Sequence, residues 1–423
     1  MIHFDSHHLF RRNKMRASNL TQVFNLFDPL KPLATEEELR EYFIERPKGP
    51  LKLMGDYLLQ SGTEPVKILF TGHRGSGKST ELNQLVLNLH NQFFIVKFSI
   101  IKTLDQFDLN YIDIVLTSAL KLLEMAIENK VKINKGILKN IFEWLHYDIT
   151  EEKIIEVKDD TKLSSNVNAL VLKLEGKLHK ESITREVMRE KIRPRFTELI
   201  DKINLTITEI KKETAKETLI IIEDIDKTNL DTAQHLFFKY GESLLSINSK
   251  VIYTFPIALR YSDNFPQVVK TFNIHFVLPN ITIIDKQGRE NRIGQEMLKK
   301  VILKRMEESL IHEDAIKGAI QLSGGLLQEL MTIIKNASLY TFSSNKKVID
   351  LTNIHQVVNE IRNDYRVMLR EEQYQMLTKI NDDKEKRVTN NEIVRQLLHN
   401  LSLLEYRNAD SWVDVHPIVK PLL

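Results

Sequence analysis

The chain contains no cysteine, so it has no disulfides, no thiolate metal sites and no cysteine nucleophile. It also lacks any apolar run of membrane-spanning length, and its basic start (Arg11, Arg12, Lys14, Arg16) has no apolar h-region of a secretion signal. Excess charge of one sign is missing as well. Sixty basic residues face 57 acidic ones for a net +3, which gives no global argument for a nucleic-acid or membrane partner. Thirteen histidines fall without metal-ligand spacing. What remains is an ordinary globular composition, 42% hydrophobic and 28% charged, over 423 residues. That length allows two to four domains with a sizeable core. A cytoplasmic chain is the expectation.

The informative stretch is Val66–Leu85. An apolar β-type run, Val66–Phe70, leads through Thr71 into Gly72-His73-Arg74-Gly75-Ser76-Gly77-Lys78-Ser79, followed by Thr80. Every position of G-x-x-x-x-G-K-[ST] is filled, and Leu82, Leu85, Val86 and Leu89 then recur at helical spacing. The residue types suit a polyphosphate. Glycines 72, 75 and 77 let the backbone N–H groups wrap it closely, and a helix starting near Lys78 adds its positive dipole end. Lys78 can reach the β- and γ-phosphates, and the Ser79 hydroxyl can ligate Mg²⁺. The motif therefore predicts a site for ATP or ADP with Mg²⁺.

A second buried strand, Thr218–Ile222, delivers Glu223, Asp224, Ile225 and Asp226 at its tip. Acidic residues there sit beside the loop of an open parallel sheet, where they hold the metal and align the attacking water. Glu223 and Asp224 are the candidates for those two roles. A third strand, Lys250–Phe255, offers Thr254 for the γ-phosphate or the water. Tyr42 and Arg46 precede the loop and are candidate adenine contacts. Strands and helices alternate from Val66 to Asp285, which implies a largely parallel sheet flanked by helices.

The predicted organisation has four parts. Residues 1–34 form a flexible lead, with Met15 a candidate alternative start. Residues 35–285 form the sheet domain, interrupted by a charged helical insertion over about 130–216 with a break at Lys158–Ser165. Residues 286–364 are all helix. In 365–423, helix, helix and hairpin follow in the order of a winged helix-turn-helix, with Asn390–His399 as the second helix.

With His73–Leu82, Ile222–Asp226 and Tyr253–Pro256 in place, Ser323-Gly324-Gly325 at a helix start and Trp412–Pro417 near the end complete a pattern. In that order the chain resembles a bacterial P-loop ATPase of the AAA+/STAND kind, closest in layout to the initiator-like clade. The resemblance covers roughly Phe24 to Leu423. It implies a P-loop NTPase core, a helical lid and a winged-helix domain that repack as ATP or ADP occupies the cleft. It also implies Mg-dependent ATP hydrolysis, which the two departures below are expected to make slow, a protein partner or a homo-oligomer, and a place in a bacterial defence or signalling system. Two departures stand out. Glu223-Asp224 reverses the common Asp-Glu order, and Gln328 stands where relatives often carry an arginine that reaches the γ-phosphate. Arg260, Arg292 and Arg305 are candidates for an arginine acting in a neighbour's site. The alternative is a DNA-binding initiator or loader acting through the winged helix, for which Arg395 is the only firm cation of the Asn390–His399 helix, with Lys386 the second cation to remove in a test. No membrane partner is expected.

Overall fold

The computed structural model describes residues 16–423 except 48, 106, 150–162, 181, 388, 389 and 409, and at 147–149, 164 and 180 the backbone alone. Five strands make the central sheet: β1 (Lys67–Gly72), β2 (Phe93–Ser99), β3 (Glu217–Glu223), β4 (Lys250–Pro256) and β5 (Ile274–Val277). They lie in the order β2-β3-β4-β1-β5, every pair parallel. A sheet covered on both faces needs apolar residues on both, and β1 is buried throughout. Alternate residues serve opposite cores. Ile68 and Phe70 pack with Leu82 and Leu85 on one side, while Leu69 joins the larger core on the other.

Helices cover both faces. Ahead of the sheet come α1 (Leu20–Leu26), α2 (Glu36–Tyr42) and α3 (Leu51–Gln60). Thr35 and Glu38 form the capping box that starts α2. α4 (Lys78–Leu89) follows β1, and α5 (Ile100–Thr103) and α6 (Tyr111–Glu128) follow β2. The insertion contributes α7 (Lys135–Glu143), α8 (Leu163–Lys180), α9 (Ser182–Ile192) and α10 (Phe196–Thr214). Most of its predicted break lies outside the described residues; α8 already begins at Leu163. Arg185 and Arg189 of α9 are buried and ion-paired to Asp105, Asp108 and Asp113, which ties the insertion to the segment leaving β2.

Between β3 and β5 lie α11 (Leu230–Gln234), α12 (Gly241–Leu245) and α13 (Phe265–Thr271). Four helices then follow without a long strand: α14 (Arg292–Arg305), α15 (Glu313–Leu322), α16 (Leu327–Ser343) and α17 (Leu351–Met368). The chain ends in α18 (Glu371–Asp382), α19 (Glu392–His399) and the antiparallel hairpin β6 (Leu403–Arg407) and β7 (Ser411–Val415). The parallel sheet flanked by helices, with a helix-rich C-terminal part, is as predicted. No helix among the described residues is long and apolar enough to cross a membrane.

Four expectations need correction. Residues 17–34 are not a flexible lead: Asn19 caps α1, and Val23 and Phe27 are fully buried. The helix that Thr35 caps is expected from the sequence to run to about Arg46, but α2 stops at Tyr42, where Phe43 turns extended (ψ 137°). The strand that the sequence suggests over Phe272–Ile284 is shorter: β5 ends at Val277, and Pro279 has no N–H to continue a ladder. α17 runs unbroken through residues 364 and 365, where a domain boundary was expected.

Candidate nucleotide site

Strand, loop and helix meet as the motif demands. β1 closes at Gly72 and α4 opens at Lys78, with Gly77 at its N-cap in the left-handed region (φ 100°) and no side-chain cap. The helix N-terminus thus leaves its N–H groups to a ligand. Gly75 is also left-handed (φ 76°), and a Cβ there would meet Gln328 Cβ at 2.6 Å. Gly75 demands glycine on two counts, conformation and space, and Gly77 by conformation.

The acidic tip of β3 comes to this loop, but its pairing differs from the sequence expectation. Lys78 Nζ pairs with Asp226 Oδ2 at 2.8 Å and donates to the carbonyls of Gly72 and His73, each at 2.8 Å. Burial opposes charge on Asp226, yet Lys78 and the Thr254 hydroxyl hold its carboxyl below the usual range. Asp224 adopts φ 70°, unusual for a residue with a side chain, and its carboxylate accepts from the Ser99 hydroxyl at 2.5 Å and pairs with Lys227 at 2.7 Å. Glu223 Oε2 pairs with Lys97 at 2.5 Å, while burial pushes its carboxyl up. Its Oε1 is buried without a hydrogen bond, and the Ser79 hydroxyl lies beside the carboxyl.

That orphaned oxygen, the Ser79 hydroxyl and Asp224 are hard oxygen donors of the kind Mg²⁺ takes, so these residues fit the ion. Among the described residues no cluster of three acids or histidines would hold a metal by itself. This suits an ion that also relies on phosphates and water. Thr254 has a different task from the one expected: its hydroxyl accepts from Ile225 N at 3.1 Å and serves Asp226, so it braces the strand tip.

A cavity of about 420 Å³ runs from this tip to the far side of α2. Gly75, Gly77, Lys78, Ser79, Thr80, Asp224, Asp226, Thr254 and Gln328 line one end. Gly72, His73, Arg74, Ser76 and Glu223 stand behind that wall rather than on it. The other end is largely apolar, with Leu26, Pro29, Met297 and Met331 around Tyr42 and Arg305. The Arg305 guanidinium sits 5.0 Å from the Tyr42 ring centroid, and burial pushes its pKa down to about 10. Arg46 also reaches the cavity, but its guanidinium is consumed by the Glu81 carboxylate at 3.1 Å and the carbonyls of Pro279 and Ser76.

Two distant parts of the chain close over the loop. Gln328 N at the start of α16 donates to Gly75 O at 3.0 Å. The His73 ring faces away from the cavity, and its Nε2 accepts from Glu405 N of β6 at 2.7 Å. Burial, and then Lys78, push the His73 imidazole down to about 3, so it is the neutral acceptor this bond requires. The Glu405 carboxylate accepts from Arg260 at 2.6 Å and from the Tyr261 hydroxyl at 2.6 Å. Tyr406 donates to Gly324 O at 2.8 Å. His399 of α19 lies close enough to Arg74 that, after burial, its charge presses the imidazole down to about 4.

Of the arginines proposed for a neighbour's site, Arg260 and Arg305 are committed within this chain, whereas Arg292 is exposed. Sequence reasoning missed Asp226 as the partner of Lys78, the Arg305–Tyr42 pair, Lys97 and the Glu405 contact. Only Lys97 left a trace: a lone cation inside the apolar strand Phe93–Ser99 asks for a carboxylate.

The sequence matches no protein-family model, and no curated protein matches it. Solved structures are similar in overall layout at very low identity. Cdc6p from Pyrobaculum aerophilum has TM-score 0.42 at 10% identity, covering 94% of this chain and 95% of that one. The ORC2 protein of Aeropyrum pernix, solved as ADPNP–ADP complexes, has TM-score 0.43 at 10% identity over 93% and 94%. A Walker-type ATPase of Pyrococcus abyssi has TM-score 0.41 at 13% identity over 94% and 99%. At such scores and identities, the reading of the site has to come from its own residues.

Proposed function

We propose that this chain is a regulatory ATPase of the initiator-like AAA+/STAND kind, which binds ATP or ADP and hydrolyses ATP slowly to switch its association with protein partners. The observation that carries the reading is one cavity lined by Lys78, Ser79, Asp224 and Asp226, with Gln328 bonded to the loop above them. A triphosphate entering it meets the N–H groups of Gly75–Ser79 and the α4 dipole. Its oxygens compete with Asp226 and two carbonyls for the Lys78 ammonium. Asp224 is the group that orients and deprotonates the attacking water, and Ser79 and Glu223 would hold Mg²⁺, which supplies charge stabilisation at the phosphates when bound. Asp224 already accepts from Ser99 and pairs with Lys227, so these bonds have to be given up before it can take a proton from water, and turnover is slow.

Contact between the loop and two distant elements supports the switch. Any shift of Gly75 or His73 on nucleotide exchange is felt directly by α16 and β6. An effector protein partner, a homo-oligomer and a role in bacterial defence or signalling belong to the same proposal. The test is to measure hydrolysis and copurifying chains for the parent and Asp224→Ala. The variant should bind ATP, stop hydrolysis and hold its partner in one state. Parent-like hydrolysis by Asp224→Ala would overturn the assignment.

The DNA-acting alternative finds its cations occupied. Arg395 bonds Glu392 and the carbonyl of Tyr261, and Lys386 pairs with Asp414. Salt-dependent binding to duplex DNA, lost on replacing both, would favour it.

A further inference from the structure

Lys97 takes no part in the reading above. It lies on the face of β2 toward α4, its ammonium 2.5 Å from Glu223 Oε2 and 2.5 Å from Asn83 Oδ1, with about a fifth of its side chain exposed. Its presence completes a pattern. The three acids at the β3 tip each have their own lysine: Glu223 with Lys97, Asp224 with Lys227 and Asp226 with Lys78. Three carboxylates and three ammonium groups cancel before any ligand arrives. A divalent cation needs oxygen donors and net negative charge. Here the donors are in place, since Glu223 Oε1 is bare beside Ser79, but the charge is already balanced.

We infer that Lys97 is a built-in counter-cation that lets this chain bind nucleotide without a divalent metal, so that the metal is recruited only once phosphates have brought their own charge. The inference rests on the nucleotide reading. Without Lys97 the Glu223 carboxylate, just behind the cavity wall, is left uncompensated, and its field repels incoming phosphates unless a metal screens it. The same uncompensated carboxylate attracts the metal more strongly. Lys97→Arg keeps the charge and the behaviour, and Lys97→Gln removes both.

The test uses the full chain stripped of nucleotide. Affinity for a fluorescent ADP analogue is titrated in excess EDTA and in excess Mg²⁺, and Mn²⁺ binding to the ADP complex is followed by electron paramagnetic resonance. The parent and Lys97→Arg should bind the analogue within about threefold under the two conditions. Lys97→Gln should bind about tenfold more weakly in EDTA than in Mg²⁺, and its ADP complex should take Mn²⁺ about tenfold more tightly. A parent that loses about tenfold or more of its affinity in EDTA overturns the inference, as does a Lys97→Gln complex with parental Mn²⁺ affinity. If Lys97→Gln does not fold, the parent's two titrations decide alone. Failure of the parent to bind the analogue under either condition is a separate result, which removes the nucleotide reading and this inference with it.

Discussion

At the phosphate end of the cavity, charge is matched pair by pair: each acid of the strand tip touches its own lysine at 2.5–2.8 Å. At the opposite end a guanidinium lies over an aromatic ring among Met297, Met331 and Leu26, and its hydrogen bond goes to the carbonyl of Val301. The first end is built for exchange, because a polyanion can take over bonds that Lys78 makes to Asp226 and the loop. The second end is built for shape and stacking, and its parts come from α1, α2, α14 and α16. One cavity therefore joins an electrostatic recognition problem to a packing problem.

Removing Lys78 should separate the two ends most sharply. Lys78→Ala is expected to weaken ATP binding at least about a hundredfold, about 2.7 kcal/mol by calorimetry, while an adenosine probe at the other end changes little. Equal losses for both ligands would erase the distinction between the ends.

Acid should act next, through the ring behind the loop. His73 is held neutral, with its pKa down to about 3 against an unfolded value near 6.5. Its contribution to stability is whole above pH 6.5 and is lost as pH falls toward 3, because only the unfolded chain takes up the proton. The slope is about 1.4 kcal/mol per pH unit for this one group. Denaturant unfolding between pH 7 and 4.5 should show it, and His73→Gln, which keeps an acceptor for Glu405 N, should flatten the curve by one proton. An unchanged slope in that variant would mean that the ring is not sealed.

Arg305→Met tests the base end. It should cost about tenfold in ATP affinity and leave inorganic tripolyphosphate affinity at the parental value. A parallel loss of both would place Arg305 at the phosphates instead.

The smallest effect belongs to Glu329 of α16, whose carboxyl burial pushes up to about 7. Its sign is opposite to that of His73. The folded chain keeps the proton that the unfolded chain releases above about pH 4.5, so stability falls as pH rises through 7. Glu329→Gln should gain about 1 kcal/mol at pH 8, discounted for the part of the residue that sees solvent, and nothing at about pH 3.5, below the unfolded pKa. Thermal melts at the two pH values read this directly.

Legibility in the sequence followed contiguity. Gly72–Thr80 is one continuous stretch whose spacing carries its own chemistry, and Thr218–Ile222 announces a buried strand that must end in the acids it carries. The α1 segment was misread because seven residues are too few to form a stable helix alone. Its apolar Leu20, Val23 and Phe27 acquire meaning only against the core that buries them. Thr254 was read as facing a phosphate because its strand end pointed there, whereas a hydroxyl beside two backbone-rich elements finds nearer partners.

The sequence by itself determined the parallel sheet, the glycine loop before α4 and the presence of acids at the β3 tip. These follow from local patterns of apolar residues, glycine and charge that need no distant partner. Only the tertiary structure decided which lysine neutralises which acid, that Arg305 and Tyr42 meet across more than 260 positions of chain, and that β6 reports on the loop through His73 and Glu405. Side chains pair by distance and shielding from water, and neither is a property of position along the chain.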